Sequence, residues 1–433
     1  MQPVEARLRA LIHQQGPITF AQFMQEALFA SGTGYYSSPR HLEQHGDYFT
    51  SPAAHPLFGT LLAIQLQQMW ELLEEPPTFT VIELGAGSGQ LAAQITSAHT
   101  AVAPAFSSAL RYVAVDRFAP AGLSASGAAG DPQTVVAQGI PVRGVVGCLL
   151  SNELLDAFPV HRFQVHDGRI REVFVTLEGG GFAETLDEPS TPEIPRRVDE
   201  AVEAPLPEGF RGEVCLLMDP WVGQVAAALR RGFVLTVDYG DTARGLYSLR
   251  RSKGTLQCYY RHTVSADPYV RVGRQDITAH VDFGAVMEAG RRHGLADIGY
   301  TSQGEFLANL GAQAFAEALE HRARHAALPQ RALLANRMAM TELLRAEGLG
   351  GFRVLAQGKD VGSPTLWGFE PRNPKRRELE ERTATLAAPL LSDAHTPLLE
   401  GRYPHQAWDP GDLWPWAEEA ARPLHGGADQ ERP

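Results

Sequence analysis

The chain is poor in cysteine and in net positive charge, and it has no long hydrophobic run. Only three cysteines occur in 433 residues, Cys148, Cys215 and Cys258. They stand far apart and form no C-x-x-C pair, so neither a disulfide framework nor a zinc site is indicated. Each sits beside apolar residues and is expected as a small core residue. No apolar run approaches the roughly 18 residues of a membrane span. The first residues, Met1-Gln-Pro-Val-Glu-Ala-Arg7, lack a basic-then-apolar leader pattern, so a cytoplasmic location is the expectation. Bases are outnumbered, 38 Lys and Arg against 50 Asp and Glu, for a net charge of −12. Nucleic-acid substrates call for a basic surface, so this balance disfavours them and suits a basic peptide. Neither a metal, a nucleic acid nor a membrane is therefore expected as a partner.

What is present is a run of glycines after a buried strand, Thr80-Val-Ile-Glu-Leu-Gly-Ala-Gly-Ser-Gly-Gln90. Glycine has no Cβ, so backbone there approaches a ligand closely. A dinucleotide fingerprint needs G-x-G-x-x-G. Here Gly85, Gly87 and Gly89 form G-x-G-x-G, and Gln90 takes the place of a third Rossmann glycine. The acid Glu83 stands two residues before the first glycine. This E-x-G-x-G-x-G arrangement resembles motif I of class I methyltransferases that use S-adenosylmethionine. A second acid, Asp116, ends the next strand, Arg111-Tyr-Val-Ala-Val-Asp116, where it is placed to accept hydrogen bonds from ribose hydroxyls. A helix N-cap or loop acid is the plainer reading of Asp116.

Alternating strands and helices predict an α/β fold with a mostly parallel sheet. Strands are expected at Thr80–Leu84, Tyr112–Val115, Val145–Ser151 and 232–240, with a weaker one at Thr134–Ala137. Asp297–Thr301 and Gly351–Ala356 are expected as a final antiparallel edge pair. Residues 1–75 read as an N-terminal helical cap with a lid loop, including a strongly amphipathic helix over 58–73. Residues 76–370 read as the main domain, with insertions at about 160–217 and 243–280. The first insertion carries a β-hairpin signalled by Asp167-Gly168. Residues 371–433 read as a partly ordered tail.

Seven blocks occur in a characteristic order. They are Gly16-Pro-Ile-Thr-Phe20, Gly34-Tyr-Tyr36, Gly46-Asp-Tyr-Phe-Thr-Ser-Pro52, Glu83-Leu-Gly-Ala-Gly-Ser-Gly89, Ser151-Asn-Glu-Leu-Leu-Asp-Ala-Phe-Pro159, Val237-Asp-Tyr-Gly240 and Asp276-Ile-Thr-Ala-His-Val-Asp-Phe283. In these blocks the chain resembles the MidA family of S-adenosylmethionine-dependent methyltransferases over about residues 5 to 370. The resemblance implies a Rossmann-like class I methyltransferase sheet with an N-terminal helical cap and inserted β-hairpin and helical segments. It also implies methyl transfer, with an arginine nitrogen as acceptor in the mitochondrial members, which are complex I assembly factors. The second-strand acid is more often Glu in that family; Asp116 keeps the hydrogen-bonding capacity.

Such an enzyme must bind the cofactor, exclude water and align a nucleophile with the S–CH₃ bond. A guanidinium is always protonated in water, so carboxylates are needed to orient it and hold its charge. Glu153 and Asp156 supply them just beyond a central strand, with His280 as a candidate base for the departing proton. Asn152 is placed to reach the cofactor's amino-acid end or the target nitrogen. The plainer readings keep Asn152 and Asp156 as helix caps and His280 as structural. Asp238 and Tyr239 end a further strand and are candidates to line the same cleft. The early loop, with Tyr35, Tyr36, Asp47, Phe49, Thr50 and Ser51, is read as a lid over the cofactor or as a packed cap.

The expected function is S-adenosyl-L-methionine-dependent methyl transfer to a protein side chain, with arginine nitrogen favoured by the resemblance. The insertions suit a groove for a protein substrate and equally a homodimer interface. Three alternatives stay open: a cofactor-binding assembly factor with little activity, a small-molecule methyltransferase, and a nicotinamide-dependent oxidoreductase.

Overall fold

Strands buried on both faces and helices that cover them build a seven-stranded sheet, as parallel sheets require. The computed structural model describes residues 3–38, 50–118, 132–260, 263–325, 328–371, 376–392 and 395. The strands are β1 (Phe79–Leu84), β2 (Leu110–Asp116), β3 (Gln133–Val136), β4 (Val145–Asn152), β5 (Leu229–Asp238), β6 (Ala296–Ser302) and β7 (Arg353–Lys359). Their order is β6-β7-β5-β4-β1-β2-β3. β1 to β5 run parallel, with Glu83 of β1 opposite Ala114 of β2 and Leu150 of β4. The chain starts mid-sheet at β1, fills one side with β2 and β3, then crosses to β4 and β5. The topological switch point thus lies between β1 and β4, where open α/β sheets form a crevice at their carboxyl ends.

The last two strands form the expected antiparallel edge pair, with β6 outermost and β7 between β6 and β5, antiparallel to both. Burial explains the order. Val354, Leu355 and Ala356 of β7 are almost fully buried, whereas Ala296 and Asp297 at the start of β6 are exposed.

The helices that bear on the site are α1 (Pro3–Gln15), α2 (Phe20–Phe29), α3 (Ser51–Ala54), α4 (Leu57–Leu72), α5 (Gln90–Val102), α6 (Met218–Ala228), α7 (Phe283–Arg292), α8 (Gln303–Asn309), α9 (Gln330–Leu344) and α10 (Arg376–Thr385). Thr19 caps α2 in a capping box: its Oγ1 accepts from Gln22 N, and Gln22 Oε1 accepts from Thr19 N. α4 departs from the amphipathic helix expected over 58–73. Every residue from Leu57 to Trp70 is buried. Its polar face is covered by the 365–368 segment: Gln68 Oε1 accepts from Trp367 N at 2.8 Å and Gln65 Oε1 from Gly368 N at 3.0 Å. Buried amides cost free energy unless bonded in this way.

The expected hairpin is present and longer, with strands His161–His166 and Arg169–Glu178 joined at Asp167-Gly168, both at positive φ. It belongs to a five-stranded sheet to which the N-terminal strand Ile18–Thr19 pairs antiparallel. One hydrophobic core holds Val4 and Leu8 of α1, Phe20 and Phe23 of α2, Val175 of the first insertion and Ile277 of the second. The N-terminal helices and both insertions therefore form one body. Leu379 of α10, with Leu386 and Ala388 beyond it, packs into the main core.

Candidate active site

The glycine turn begins where β1 leaves the sheet. Gly85, Gly87 and Gly89 have φ of 73°, 51° and 72°, a region cheap only for glycine. Gly85 N and Ala86 N both donate to Val115 O, at 2.9 and 3.1 Å. A Cβ on Gly85 would meet Leu154 Cδ1 at 2.7 Å, so the turn fits tightly under the loop that follows β4. A Cβ on Gly87 would meet nothing within 4 Å, so the crevice side of the turn is open. Asp116 holds the turn: its Oδ2 accepts from Gly87 N at 2.9 Å and its Oδ1 from Phe118 N at 3.0 Å. α5 begins at Gln90, straight after the glycines, so its positive N-terminal end adjoins the crevice.

Glu83 lies deeper than a ligand-contacting acid. It is 3% exposed, and Tyr112 Oη donates to its Oε2 at 2.9 Å. Burial pushes its carboxyl up to about 8, the Tyr112 hydrogen bond pulls back, and the Asp116 charge adds to the rise.

Asn152 ends β4, next to β1, and Glu153 follows in the left-handed region at φ 49°. A non-glycine residue there stores strain that surrounding contacts must hold. The contacts are visible: Glu153 N donates to Val237 O at 2.9 Å, and Glu153 Oε1 accepts from Ser51 N at 3.1 Å and Asn152 Nδ2 at 3.0 Å. Glu153 Oε2 has no hydrogen-bond partner among the described residues. Burial pushes this half-buried carboxyl up to about 8, the two donors pull it down, and the Asp156 charge raises it. Asn152 Oδ1 is buried with no partner among the described residues.

The lid reading is corrected for Ser51. Its side chain is fully buried, and its Oγ donates to Gln303 Oε1 at 2.9 Å, so that hydroxyl is not free for a cofactor carboxylate. Thr50 caps α3, its Oγ1 accepting from Ala53 N. Segment 50–55 is a packed cap, further held by Gln94 Nε2 on Pro52 O at 2.7 Å and by His55 Nε2 against Asn336 Oδ1 at 3.0 Å. Asp47 and Phe49, also assigned to the lid, lie outside the described residues. Tyr36 is half-buried; its Oη donates to Asp276 and its ring stacks on Phe29 at 5.4 Å. Arg117, next to Asp116, lays its guanidinium over the other ring, Phe29, at 4.7 Å. Tyr36 thus joins Arg117, the residue after the second-strand acid, through Phe29, a stack that sequence reasoning missed.

Asp156 lies near Glu153 within a network that Tyr239 and Asp238 complete, and His280 packs on Tyr239. Asp156 is 4% exposed, and Tyr239 Oη donates to its Oδ2 at 2.5 Å. Burial pushes its carboxyl up to about 6, and the Tyr239 hydrogen bond works against that rise. Asp238, fully buried, gathers the loop: Oδ2 accepts from Leu154, Leu155 and Asp156 N, and Oδ1 from Tyr239 N. His280 packs edge-on against Tyr239 at 5.3 Å and lines a separate cavity of about 270 Å³ with Leu155, Glu213 and Arg197. Burial, with Arg251 nearby, lowers the His280 imidazole to about 4, so it is neutral at physiological pH. Asp238 was legible as a strand-end acid; Gln303 carries no sequence signal.

The donor set fits an amino-acid–nucleoside cofactor: an open glycine turn after β1, an acid at the tip of β2, and the orphaned buried Asn152 Oδ1 at the tip of β4. Comparison with known proteins agrees. A family model described as "Putative S-adenosyl-L-methionine-dependent methyltransferase" matches residues 61–301. A crystal structure from Burkholderia thailandensis bound to S-adenosyl-homocysteine is 32% identical, with TM-score 0.73 over 84% of this chain and 94% of that one. A protein from Drosophila melanogaster named protein arginine methyltransferase NDUFAF7 homolog, mitochondrial, is 28% identical over 72% of this chain and 76% of its own length. Its Rattus norvegicus counterpart is 28% identical over 83% and 86%. The expected cytoplasmic location is overturned, because both relatives carry mitochondrial in their names. The cofactor is S-adenosyl-L-methionine, and the chain belongs to this family of S-adenosyl-L-methionine-dependent methyltransferases.

Proposed function

We propose that the methyl acceptor is an arginine side chain of a protein, held by Glu153. The cofactor supplies an electrophilic methyl on its sulfonium. The chain's own residues then have three tasks: to hold the cofactor, to keep water out, and to orient the acceptor. Gly85 to Gly89, Asp116 and Asn152 serve the first. The packed α3 segment and the Tyr36–Phe29–Arg117 stack serve the second. Glu153 serves the third. The observation that carries this reading is its carboxylate, with Oε1 taken by two donors and Oε2 open, on a strained residue one strand from the glycine turn. A guanidinium offers planar N–H donors that suit such an oxygen. Glu153 is raised by burial, so an arriving cation favours its ionised form and the pairing strengthens as the site fills. The acceptor nitrogen bonds the methyl carbon as the carbon–sulfur bond breaks with its electron pair left on sulfur, giving S-adenosyl-homocysteine, and the N–H proton passes to the Glu153 carboxylate. The names of the fly and rat relatives support the arginine acceptor, and the net charge of −12 suits a basic partner.

The test is methyl transfer to arginine-bearing peptides, read by mass spectrometry, for wild type and Glu153→Gln. The variant is expected to bind S-adenosyl-homocysteine within about threefold of wild type and to lose about 100-fold or more in transfer, the scale of one orienting electrostatic contact. Transfer by Glu153→Gln at the wild-type rate removes Glu153 from the chemistry. Transfer only to lysine peptides or small amines removes arginine.

A further inference from the structure

A chain of hydrogen bonds reaches Glu153 from the far edge of the molecule. Gln303 opens α8, directly after β6, and is fully buried. Its backbone N donates to Phe352 O at 2.7 Å and its Nε2 to Leu343 O, near the end of α9, at 3.3 Å. Its Oε1 accepts from Ser51 Oγ at 2.9 Å. Ser51 N in turn donates to Glu153 Oε1. We propose that Gln303 is a positioning residue for methyl transfer: by anchoring Ser51, it fixes the Glu153 carboxylate so that Oε2 alone faces the acceptor. This rests on the assignment of Glu153 as the acceptor-holding group.

The physical case is one of degrees of freedom. A glutamate side chain has three rotatable bonds, and the last is soft. Asn152 Nδ2 holds Oε1 from the adjacent residue and travels with it, whereas Ser51 N comes from a different part of the fold. Only the second contact ties the carboxylate to a fixed frame. Nothing in packing alone calls for an amide at position 303. An unbranched apolar side chain of the same length fits that volume but leaves the buried Ser51 Oγ and Leu343 O without a partner, at a cost of about 1–3 kcal/mol. The amide is therefore explained by what it holds.

The groups that act on the Glu153 carboxyl are Ser51 N and Asn152 Nδ2 as donors, with Asp156, Asp238 and Tyr259 beside it. Burial and the neighbouring acids raise it and the donors lower it, so loosening Ser51 raises it further. Other contacts hold Pro52 and His55 when this one is lost, so the change is confined to Ser51.

The experiment uses the full chain as wild type, Gln303→Met, Ser51→Ala and the double variant. Carboxyl ¹³C NMR follows Glu153, assigned by the signal missing in Glu153→Gln. Burial pushes the wild-type carboxyl up to about 8, and each single variant is expected to titrate about half to one pH unit above wild type, the scale of one hydrogen bond to a charged group. Calorimetry is expected to give S-adenosyl-homocysteine affinity within about threefold of wild type. With an arginine peptide, kcat is expected to fall about tenfold while the cofactor KM stays unchanged. The double variant should fall no further than the worse single, because both break one chain. An unmoved midpoint overturns the proposal. So does a loss of cofactor affinity as large as the loss of rate, or additive effects in the double variant. If wild type methylates no arginine peptide, the acceptor reading fails, while the NMR titration still decides the role of Gln303.

Discussion

At the scale of single residues, the buried acids carry the clearest consequences. Glu83 has its carboxyl raised from an ordinary value near 4.5 to about 8, chiefly by burial. Between those values the folded protein keeps a proton that the unfolded chain has lost. The stabilisation from that proton is complete below about pH 4.5 and is lost as pH climbs to about 8. Glu83→Gln removes the titration and keeps an oxygen for Tyr112. We expect its melting temperature to match wild type at pH 5 and to exceed it by several degrees at pH 9, since each pH unit between those values is worth up to about 1.4 kcal/mol. An equal shift at both pH values would mean that Glu83 does not titrate as described. Gly87 makes a second case. Among the described residues, no atom apart from its chain neighbours lies within 4 Å of a Cβ built there, so Gly87→Val is accommodated at a strain of about 1–2 kcal/mol. Its side chain then stands in the open crevice, and S-adenosyl-homocysteine affinity is expected to fall at least about 100-fold by calorimetry. Unchanged affinity would move the cofactor away from this turn.

At the scale of elements, the decisive contact is between α4 and α5, because α5 carries the glycine turn at its start. Gly59 of α4 lies against α5, where a Cβ would meet Gln94 Cβ at 2.4 Å. Helix propensity favours alanine over glycine by about 1 kcal/mol. The contact is too close for that gain to win, since Gln94 is also tied to Pro52 O and Gly59 N. We expect Gly59→Ala to destabilise by about 1–3 kcal/mol in urea unfolding, through forced separation of the two helices. A stabilised variant would show that the interface yields. The same pair shows where sequence patterning runs out. Leucines and glutamines over 58–73 read as two faces, apolar and polar, because helical spacing records only polarity. Backbone groups of residues 365–368, some three hundred positions away, cover the glutamine face, and no local pattern can signal that.

At the scale of the whole molecule, sequence separation sets what was readable. The glycine turn, the strand-end acids Asp116 and Asp238, and the Asn152-Glu153 corner are all local signatures. Each combines a strand's periodicity with a residue type that a turn or a strand tip requires. The helical cap and the two insertions are legible as separate segments, yet they share one core, with Ile18 paired to Val175 and Phe23 packed in the same cluster as Ile277. Their union is a matter of long-range burial. The site is likewise completed from a distance. Ser51 meets Glu153, Gln303 holds Ser51, and Phe29 bridges Tyr36 to Arg117.

The amino-acid order alone was enough for the α/β class, the cofactor type and the loops that face it, because backbone conformation at glycines and polarity along strands are local properties. How each of the two neighbouring carboxylates is held was decided only by packing. Glu153 and Asp156 are three residues apart and chemically alike. What separates them is the hydrogen-bond donors that distant segments bring to each, and donor placement exists only once the chain has folded.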